Sequence, residues 1–417
     1  MLLLHISDLH LGKVIHGVSL LENGDQPHWV NQFLSLTEEL HPDAVLISGD
    51  VYDRGSPSGA AVELLSRLLE GLAGQGVCVL LAAGNHDSGQ RLAFARDILA
   101  RQNVHIAGTV GRTMTHVTLQ DEYGPVTFWL MPYIFPTAVA QALDDETIRD
   151  FETAARRLLA AQEIDSSARN VLLAHQYVTA SGADPLRGGS ESAVGGVGNI
   201  DYTAFDAFDY VALGHIHAAY PVGREAVRYA GSPMCYHFNE TRQAAKGPVL
   251  VNLGPKGAPP VIETRLIPPL HPMREMRGEF ETLREKELER KSEGEYLRLV
   301  ITDQPMTSEV SDFFQKLAEQ RGSVLMERVS EYRRFSEDIR GFASGAIREK
   351  TLEELFADFF AHQRGGEEPD RDDLDLLRQA GELLRNTPPD PTRRDRADIA
   401  LTNKLLEYLL GQEADEA

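Results

Sequence analysis

Residues 43–58, "DAVLISGDVYDRGSPS", decide the fold prediction for this chain of 417 residues. The apolar run at the start of the stretch predicts a buried strand, which must end near the Gly-Asp pair. Two carboxylates, Asp50 and Asp53, follow where that strand ends. In open α/β folds, ligands gather at the carboxyl ends of strands. The stretch therefore predicts a core strand that brings acidic side chains to a site.

The same combination of an apolar run and a polar cluster occurs four more times along the chain. The runs are "MLLLHISDLH" (1–10), "CVLLAAGNHD" (78–87), "NVLLAHQYV" (170–178) and "YVALGHIH" (210–217). Each run predicts a core strand, whereas the stretches 58–72 and 90–100 have the periodicity of helices. The alternation predicts an α/β fold in which helices pack on sheets.

The composition limits the possible functions. A net charge of -22 argues against a protein that binds nucleic acid over its whole surface, because a polyanion would be repelled on average. Contact with DNA would have to be local, or be helped by metal ions or a partner. Only two cysteines are present, which suits a reducing compartment. With no signal-peptide pattern and no long apolar run, we expect a cytoplasmic protein without a membrane segment.

The pattern of strands and helices changes near the proline-rich stretch "LIPPLHPMREM" (266–276). We assign residues 1–269 to the main α/β domain and residues 270–345 to a small α+β domain with one clear strand, "EYLRLVITD" (295–303). Residues 346–417 form a C-terminal helical region in this prediction. Its amphipathic segments are 351–363, 370–386 and 396–412.

The polar residues at the predicted strand ends suit a metal site. They are Asp8, His10, Asp50, Asp53, Asn85, His86, Asp87, His175, His215 and His217. Taken singly, each histidine is a plausible loop residue and Asp50 a plausible helix cap, but five such clusters in one chain favour a shared ligand. Carboxylate, imidazole and amide oxygen without thiolate suit manganese, magnesium or iron. A pair of such ions would activate water and neutralise phosphoryl oxygens, which indicates a phosphate ester as substrate.

In this order, the blocks DxH, GDxxD, GNHD, a lone histidine and GHxH resemble the calcineurin-like metallophosphoesterases. The resemblance implies a four-layer β-sandwich flanked by helices, with a small α+β capping domain and C-terminal helices after it. It also implies two metal sites that share Asp50. The first would be held by Asp8, His10, Asp50 and His217, and the second by Asp50, Asn85, His175 and His215.

The resemblance gives Asp53 and His86 a catalytic role. The carboxylate of Asp53 would pair with the imidazole of His86, which would protonate or stabilise the leaving oxygen. The alternative is that Asp53 is a turn residue and His86 a further metal ligand. We assign Asp87 a structural role as a cap of the following helix.

Several longer stretches resemble one branch of this superfamily, the SbcD family of nuclease subunits. They are "SDLHLG", "SGDVYDRGSPS", "AAGNHDS", "DYVALGHIH" and "VRYAGSPMCYHFNE", and the resemblance covers about residues 1–270. It implies a Mn²⁺-dependent DNA nuclease, with Mg²⁺ as the alternative ion. Such a nuclease acts on double-stranded ends as an exonuclease and on single strands and hairpins as an endonuclease, in repair, recombination and replication. Ala174, where relatives often carry glycine, and the loop 188–199 depart from the family pattern.

The same resemblance implies partners. An SbcC-type ATPase would bind the C-terminal helices, and a homodimer would form through helices 58–72 and 90–101. The apolar residues assigned to this dimer surface are Leu64, Leu68, Leu92, Phe94, Ile98 and Leu99, and the alternative places them in the core. Two other functions compete. A phosphatase or cyclic-nucleotide phosphodiesterase would leave the residues after 270 unexplained, and a DNA-end scaffold would use its metals only structurally.

Overall fold

The computed structural model describes residues 1–180, 198–242 and 246–332, with isolated positions at 357, 369 and 374. Met1–Tyr332 forms one compact unit and Arg333–Ala417 a second. Apart from two of those positions, the predicted C-terminal helical segments lie outside the described residues, as does most of the loop 188–199. The domain boundaries at 269/270 and 345/346 stay predictions. None of the described helices is long and apolar enough to cross a membrane.

The first half of the main domain alternates strands with helices. Its elements are β1 (Leu2–Ile6), β2 (Val14–Ile15), β3 (Val18–Ser19), α1 (Asp25–Leu40), β4 (Ala44–Ser48), α2 (Gly59–Gly74), β5 (Cys78–Ala82), α3 (Gly89–Leu92), α4 (Arg96–Leu99) and β6 (Val104–Ala107). The helix predicted over 90–101 is not continuous, because Ala95 adopts a left-handed backbone with φ 59° between the two short helices.

The second half builds another sheet and then returns to the first. Its elements are β7 (Thr115–Asp121), β8 (Gly124–Met131), α5 (Pro136–Leu143), α6 (Phe151–Ala160), β9 (Arg169–His175), β10 (Val178–Thr179), β11 (Ile200–Asp201), β12 (Tyr210–Gly214), β13 (Tyr220–Val222), β14 (Arg224–Tyr229), β15 (Val249–Asn252) and β16 (Val261–Thr264). All five predicted core strands are confirmed, as β1, β4, β5, β9 and β12.

Two six-stranded sheets face each other and carry helices on their outer faces. The strand orders are β16-β15-β1-β4-β5-β6 and β13-β14-β12-β9-β8-β7, with parallel strands at the centre of each sheet. Alternate residues of each central strand enter different cores: Leu3 packs between the sheets and Leu4 packs under the helices. Burial on both faces explains the continuous apolar runs of these strands. The four layers confirm the predicted fold class.

A smaller sheet follows the proline-rich stretch. Its elements are β17 (Met273–Gly278), α7 (Phe280–Glu289), β18 (Tyr296–Ile301), α8 (Ser308–Gln320) and β19 (Val324–Ser330). All three strands are parallel, with β18 in the centre. Sequence analysis identified only this central strand. The two outer strands were not predicted, because charged residues interrupt their apolar pattern, as in "MREMRG" of β17. Most of their side chains are partly exposed.

The apolar residues assigned to a dimer surface divide between core and solvent. Leu64, Leu68 and Leu92 belong to the core between α1, α2 and the first sheet, so their assignment to an interface is wrong. Phe94 is 80% exposed and Ile98 is 68% exposed, which leaves these two side chains available for contact.

The two sheets contact each other where β4 and β12 end. A Cβ atom added to Gly214 would lie 1.8 Å from the carbonyl oxygen of Ser48, far inside van der Waals contact. Beside it, Ser48 Oγ donates a hydrogen bond of 2.9 Å to the carbonyl of Ala212. The absence of a side chain at Gly214 therefore lets the ends of the two strands touch.

We expect Gly214→Ala to destabilise the fold, because backbone rather than a flexible side chain would have to move. Overpacking of this kind costs about 1–3 kcal/mol. Gly59→Ala is the matched control, since its new methyl group would meet nothing within 4 Å. That control should be neutral or stabilising by about 0.4–1 kcal/mol. Urea unfolding of both variants measures the difference, and equal stabilities would contradict the proposed close packing.

Candidate metal centre

The candidate site lies at the edge where the central parallel strands of both sheets end. Loops after β1, β4 and β5 come from the first sheet, and His175 and the loop after β12 come from the second. A hydrogen bond of 2.8 Å from His175 Nδ1 to the carbonyl of Ser48 ties the two sheets together at this point. The polar clusters, scattered over more than 200 residues of sequence, thus meet in one place.

Asp8, His10 and His217 form the first cluster. One potential ligand atom from each lies within 4.8 Å of the others, and all three residues are buried. His217 Nε2 lies 3.9 Å from Asp8 Oδ1. Both ring nitrogens of His10 are buried without a hydrogen-bond partner among the described residues. An ion bound to one of these nitrogens would explain why a buried imidazole lacks such a partner.

Asp50 stands between the two halves of the site. Its Oδ2 lies 3.7 Å from His10 Nε2 and 3.3 Å from His175 Nε2, while its Oδ1 accepts a hydrogen bond from the backbone N–H of His86. Burial raises the pKa of Asp50, but the charges of His175 and His10 outweigh it and hold the pKa well below its usual range. The carboxylate is therefore ionised and central.

Asn85, His175 and His215 form the second half of the site. Asn85 Oδ1 lies 3.1 Å from His175 Nε2 and 3.0 Å from His215 Nδ1. Burial lowers the pKa of His175, but the neighbouring Asp50 carboxylate raises it to about 9 in the metal-free protein. Burial, followed by the charge of His175, lowers the pKa of His215 to about 4. The amide oxygen of Asn85 is thus within hydrogen-bond distance of both imidazoles.

The backbone is strained at four of these residues. Asp8, His10, Asp50 and His215 have φ values of 54°, 42°, 46° and 103°, which residues other than glycine rarely adopt. Backbone hydrogen bonds hold the strained loops: Asp8 N–H donates to Gly49 and His10 N–H donates to Asp50. Strain of this kind persists at functional sites where the surrounding structure over-determines it.

His86 contacts Asp53 differently from the prediction. His86 Nδ1 donates to the backbone carbonyl of Asp53 at 2.9 Å, not to its carboxylate. That carboxylate lies 2.7 Å from Lys13 Nζ and 3.5 Å from His10 Nδ1. The expected carboxylate–imidazole pair is therefore wrong, because the turn after β4 directs the Asp53 side chain towards the loop after β1. The carbonyl still fixes the tautomer of His86.

Asp87 is structural, but it is not a helix cap. Its carboxylate accepts hydrogen bonds from the backbone N–H groups of Val51, Tyr52 and Gly84. Burial and the nearby Asp50 charge raise its pKa to about 6. The side chain thus braces the loop after β4 against the loop after β5, whereas Ser88 occupies the cap position of α3.

Sequence analysis missed a buried ion pair behind His217. Glu240 Oε1 lies 3.4 Å from His217 Nδ1, and Glu240 Oε2 lies 2.9 Å from Lys246 Nζ. Burial raises the pKa of Glu240, but its bonds to His217 and Lys246 bring it down to about 2. A carboxylate behind a ligating histidine orients the ring and raises its basicity. Glu240 ends the quoted stretch "VRYAGSPMCYHFNE", but no local pattern assigned it a role.

The residues present suit divalent cations. Two further groups of ligand atoms lie within 4.8 Å of one another: His10, Asp50 and His86, and Asp8, Asp50 and His175. Asp50 belongs to both groups, as a shared ligand would. Buried carboxylates and imidazoles, with unsatisfied nitrogens on His10, match the donor set of hard to borderline ions.

Comparisons with known proteins agree with this geometry. A model of the calcineurin-like phosphoesterase family matches residues 1–219, and a model described as a type 5 capsule protein repressor C-terminal domain matches residues 269–364. The SbcD subunit of the nuclease SbcCD from Staphylococcus saprophyticus is 30% identical over 308 residues, which cover 72% of this chain and 78% of that protein.

Two solved structures show lower similarity. A dimetal phosphatase from Danio rerio is 11% identical with a TM-score of 0.36, covering 63% of this chain and 98% of that chain. A phosphoesterase from E. coli is 14% identical with a TM-score of 0.25, covering 60% and 88%.

Fold, site and family model place the chain among the calcineurin-like phosphoesterases, which use divalent metals. Within that class it belongs to the SbcD family of nuclease subunits. It is accordingly a hydrolase that acts on phosphodiesters.

We expect Glu240→Gln to weaken metal binding about 10- to 100-fold, the usual effect of losing a partner of a ligating histidine. The change keeps the size of the side chain but removes the charge between His217 and Lys246. Titration of the protein, after removal of its metal ions, with Mn²⁺ measures the metal affinity. Glu225→Gln removes a carboxylate that is 76% exposed and should leave the affinity unchanged. Equal affinities for both variants would show that Glu240 does not act on the site.

Proposed function

We propose that the chain is a DNA nuclease that hydrolyses phosphodiesters at two divalent ions sharing Asp50. The observation that carries this proposal is the position of Asp50, whose carboxylate lies 3.7 Å from the imidazole of His10 on one side and 3.3 Å from that of His175 on the other. Such a pair of ions supplies a nucleophile from water and neutralises the phosphoryl oxygens. The SbcD family membership supports DNA as the substrate.

The proposed ligands follow the two halves of the site. Seven residues hold the ions: Asp8, His10, Asp50 and His217 hold one, and Asp50, Asn85, His175 and His215 hold the other. Mn²⁺ is the proposed ion, with Mg²⁺ as the alternative, since both suit the carboxylate and amide oxygens of the site. Glu240 keeps His217 oriented towards its ion.

His86 is the proposed acid or stabiliser of the leaving oxygen. Its Nδ1–H is held by the Asp53 carbonyl, so Nε2 is the nitrogen left for the substrate. The Asp53 carboxylate supports the reaction indirectly, since it contacts His10 and the Lys13 ammonium. The competing role of His86 as a metal ligand rests on its grouping with His10 and Asp50.

The proposed substrates are DNA ends. Double-stranded ends would be cut exonucleolytically, and hairpins and single strands endonucleolytically, during double-strand-break repair, recombination and replication. A chain with net charge -22 repels DNA on average, so its contact with DNA would be local, or be helped by the metal ions or a partner. The partner proposed is an SbcC-type ATPase bound to residues 346–417. The name of the Staphylococcus relative, which places it in SbcCD, supports an assembly of this kind.

Two substitutions separate metal binding from acid catalysis. Asp50→Ala removes the ligand that the two ions share. We expect this variant to lose one of the two ions and all turnover. His86→Ala should keep both ions and lower the rate about 10²- to 10⁴-fold, the range for a lost acid or base. Metal analysis together with cleavage of linear and hairpin DNA measures both effects.

The same assays distinguish the competing functions. Loss of an ion from His86→Ala would identify His86 as a ligand instead. Wild-type protein that cleaves a small chromogenic phosphodiester but no DNA would be a phosphatase or cyclic-nucleotide phosphodiesterase. Wild-type protein that binds metal but hydrolyses neither substrate would favour the function of a DNA-end scaffold.

A homodimer is proposed through the exposed apolar residues Phe94 and Ile98, on the short segment after the GNHD block. Ile98→Glu should give a folded monomer, because a charge buried in an interface is costly. Val261→Glu is the control, at a residue 63% exposed on the edge strand β16. Analytical sedimentation at several protein concentrations measures the oligomeric state of both variants. A variant that dimerises as tightly as the wild type would place the interface elsewhere.

Truncation after Gly345 tests the partner site. Because the compact unit Met1–Tyr332 ends before the cut, we expect the metal centre and Mn²⁺-dependent cleavage to survive. Co-purification with the SbcC-type ATPase and stimulation by ATP should disappear. If the shortened chain still binds the ATPase with unchanged affinity, residues 346–417 are not the binding site.

A further inference from the structure

An aromatic segment leaves the second sheet beside the candidate metal centre. Met131, the last residue of β8, pairs with Ala174, the residue before His175, so β8 ends at the edge of the site. Two residues later, Tyr133 N–H donates a hydrogen bond of 2.7 Å to the carbonyl of Ala83, two residues before Asn85. Residues 132–135 are thus fixed to both sheets at the site.

Ring contacts run outward from the candidate ligands along this segment. The centroid of the Tyr133 ring lies 6.2 Å from the rings of both His175 and His215. On the other side, Tyr133 meets the Phe135 ring at 5.0 Å and 75°, an edge-to-face contact. Phe135 is 54% exposed, so the row of rings ends in solvent at the rim of the site.

The position of Phe135 is unusual for its residue type. It occupies the N-cap of α5, where serine, threonine, aspartate and asparagine are preferred, and it makes no capping hydrogen bond. Its neighbour Ile134 and the helical residue Val139 are both fully buried in one core cluster, which fixes the path of the chain. The ring is therefore held in place and exposed, at the cost of a helix cap.

We propose that Phe135 and Tyr133 form a stacking surface for an unpaired nucleobase next to the scissile phosphodiester. This inference rests on the proposed nuclease function. A phosphodiester held at the metal centre carries bases on either side, and any base can offer its face to an aromatic ring. An unpaired base is required because a base inside a duplex already has both faces stacked. The surface would engage single strands and opened ends without selecting a sequence.

The test compares short single-stranded oligonucleotides that carry either a base or an abasic residue beside the cleaved bond. Wild-type protein should show a KM about tenfold higher for the abasic substrate. Phe135→Ala should raise the KM for the substrate with the base to that same level and erase the difference, whereas Phe135→Trp should restore it. Tyr123→Ala is the matched control: Tyr123 is 52% exposed at the turn between β7 and β8, at the opposite end of the sheet.

A second readout does not depend on turnover. With Ca²⁺ in place of Mn²⁺, so that the phosphodiester is bound without turnover, 2-aminopurine in an oligonucleotide should lose fluorescence on binding to wild-type protein and to Tyr123→Ala, but not to Phe135→Ala. The proposal is overturned if Phe135→Ala keeps the preference for the base, or raises the KM for both substrates alike, in which case the ring does not act through the base. A wild type that cleaves no oligonucleotide but quenches 2-aminopurine would refute the nuclease and keep the stacking surface.

Discussion

Contact between the two sheets at the ends of their central strands sets the distances in the candidate site. Ser48 bonds to Ala212 through its hydroxyl and to His175 through its carbonyl, and Gly214 leaves the space for this contact. Because each sheet supplies only part of the proposed ligands, neither sheet could form the site alone. A shift of one sheet against the other would separate Asp50 from His175, because the two residues belong to different sheets.

The buried charge of Asp50 is the main energetic cost of this arrangement. A carboxylate that is 3% exposed must be paired, and here imidazoles and a backbone N–H surround it. The loops that carry it are strained, and they stay in place because Asp87 and the backbone bonds between them leave no alternative path. Cations would relieve this cost, which links metal binding to the stability of the same loops.

Residues around the ligands extend the function of the site. Behind it, Glu240 and Lys246 form an ion pair that aligns His217 from the protein side. At its rim, Tyr133 and Phe135 form the aromatic surface proposed for an unpaired nucleobase. The net negative charge of the chain makes such short-range contacts more useful, because long-range attraction to DNA is absent.

The sequence by itself determined the five core strands and the residue types at the strand ends, and its resemblance to a known family predicted the two-sheet fold. Strands buried on both faces must be apolar throughout, and the polar residues that follow them stand out for that reason. Only the tertiary structure decided which atoms meet. The Asp53 carboxylate turned away from His86, Asp87 braced two loops, and the helix over 90–101 broke at Ala95. Glu240 and Tyr133 gained their contacts with the candidate ligand histidines from packing between distant segments, and such contacts leave no local periodicity in a sequence.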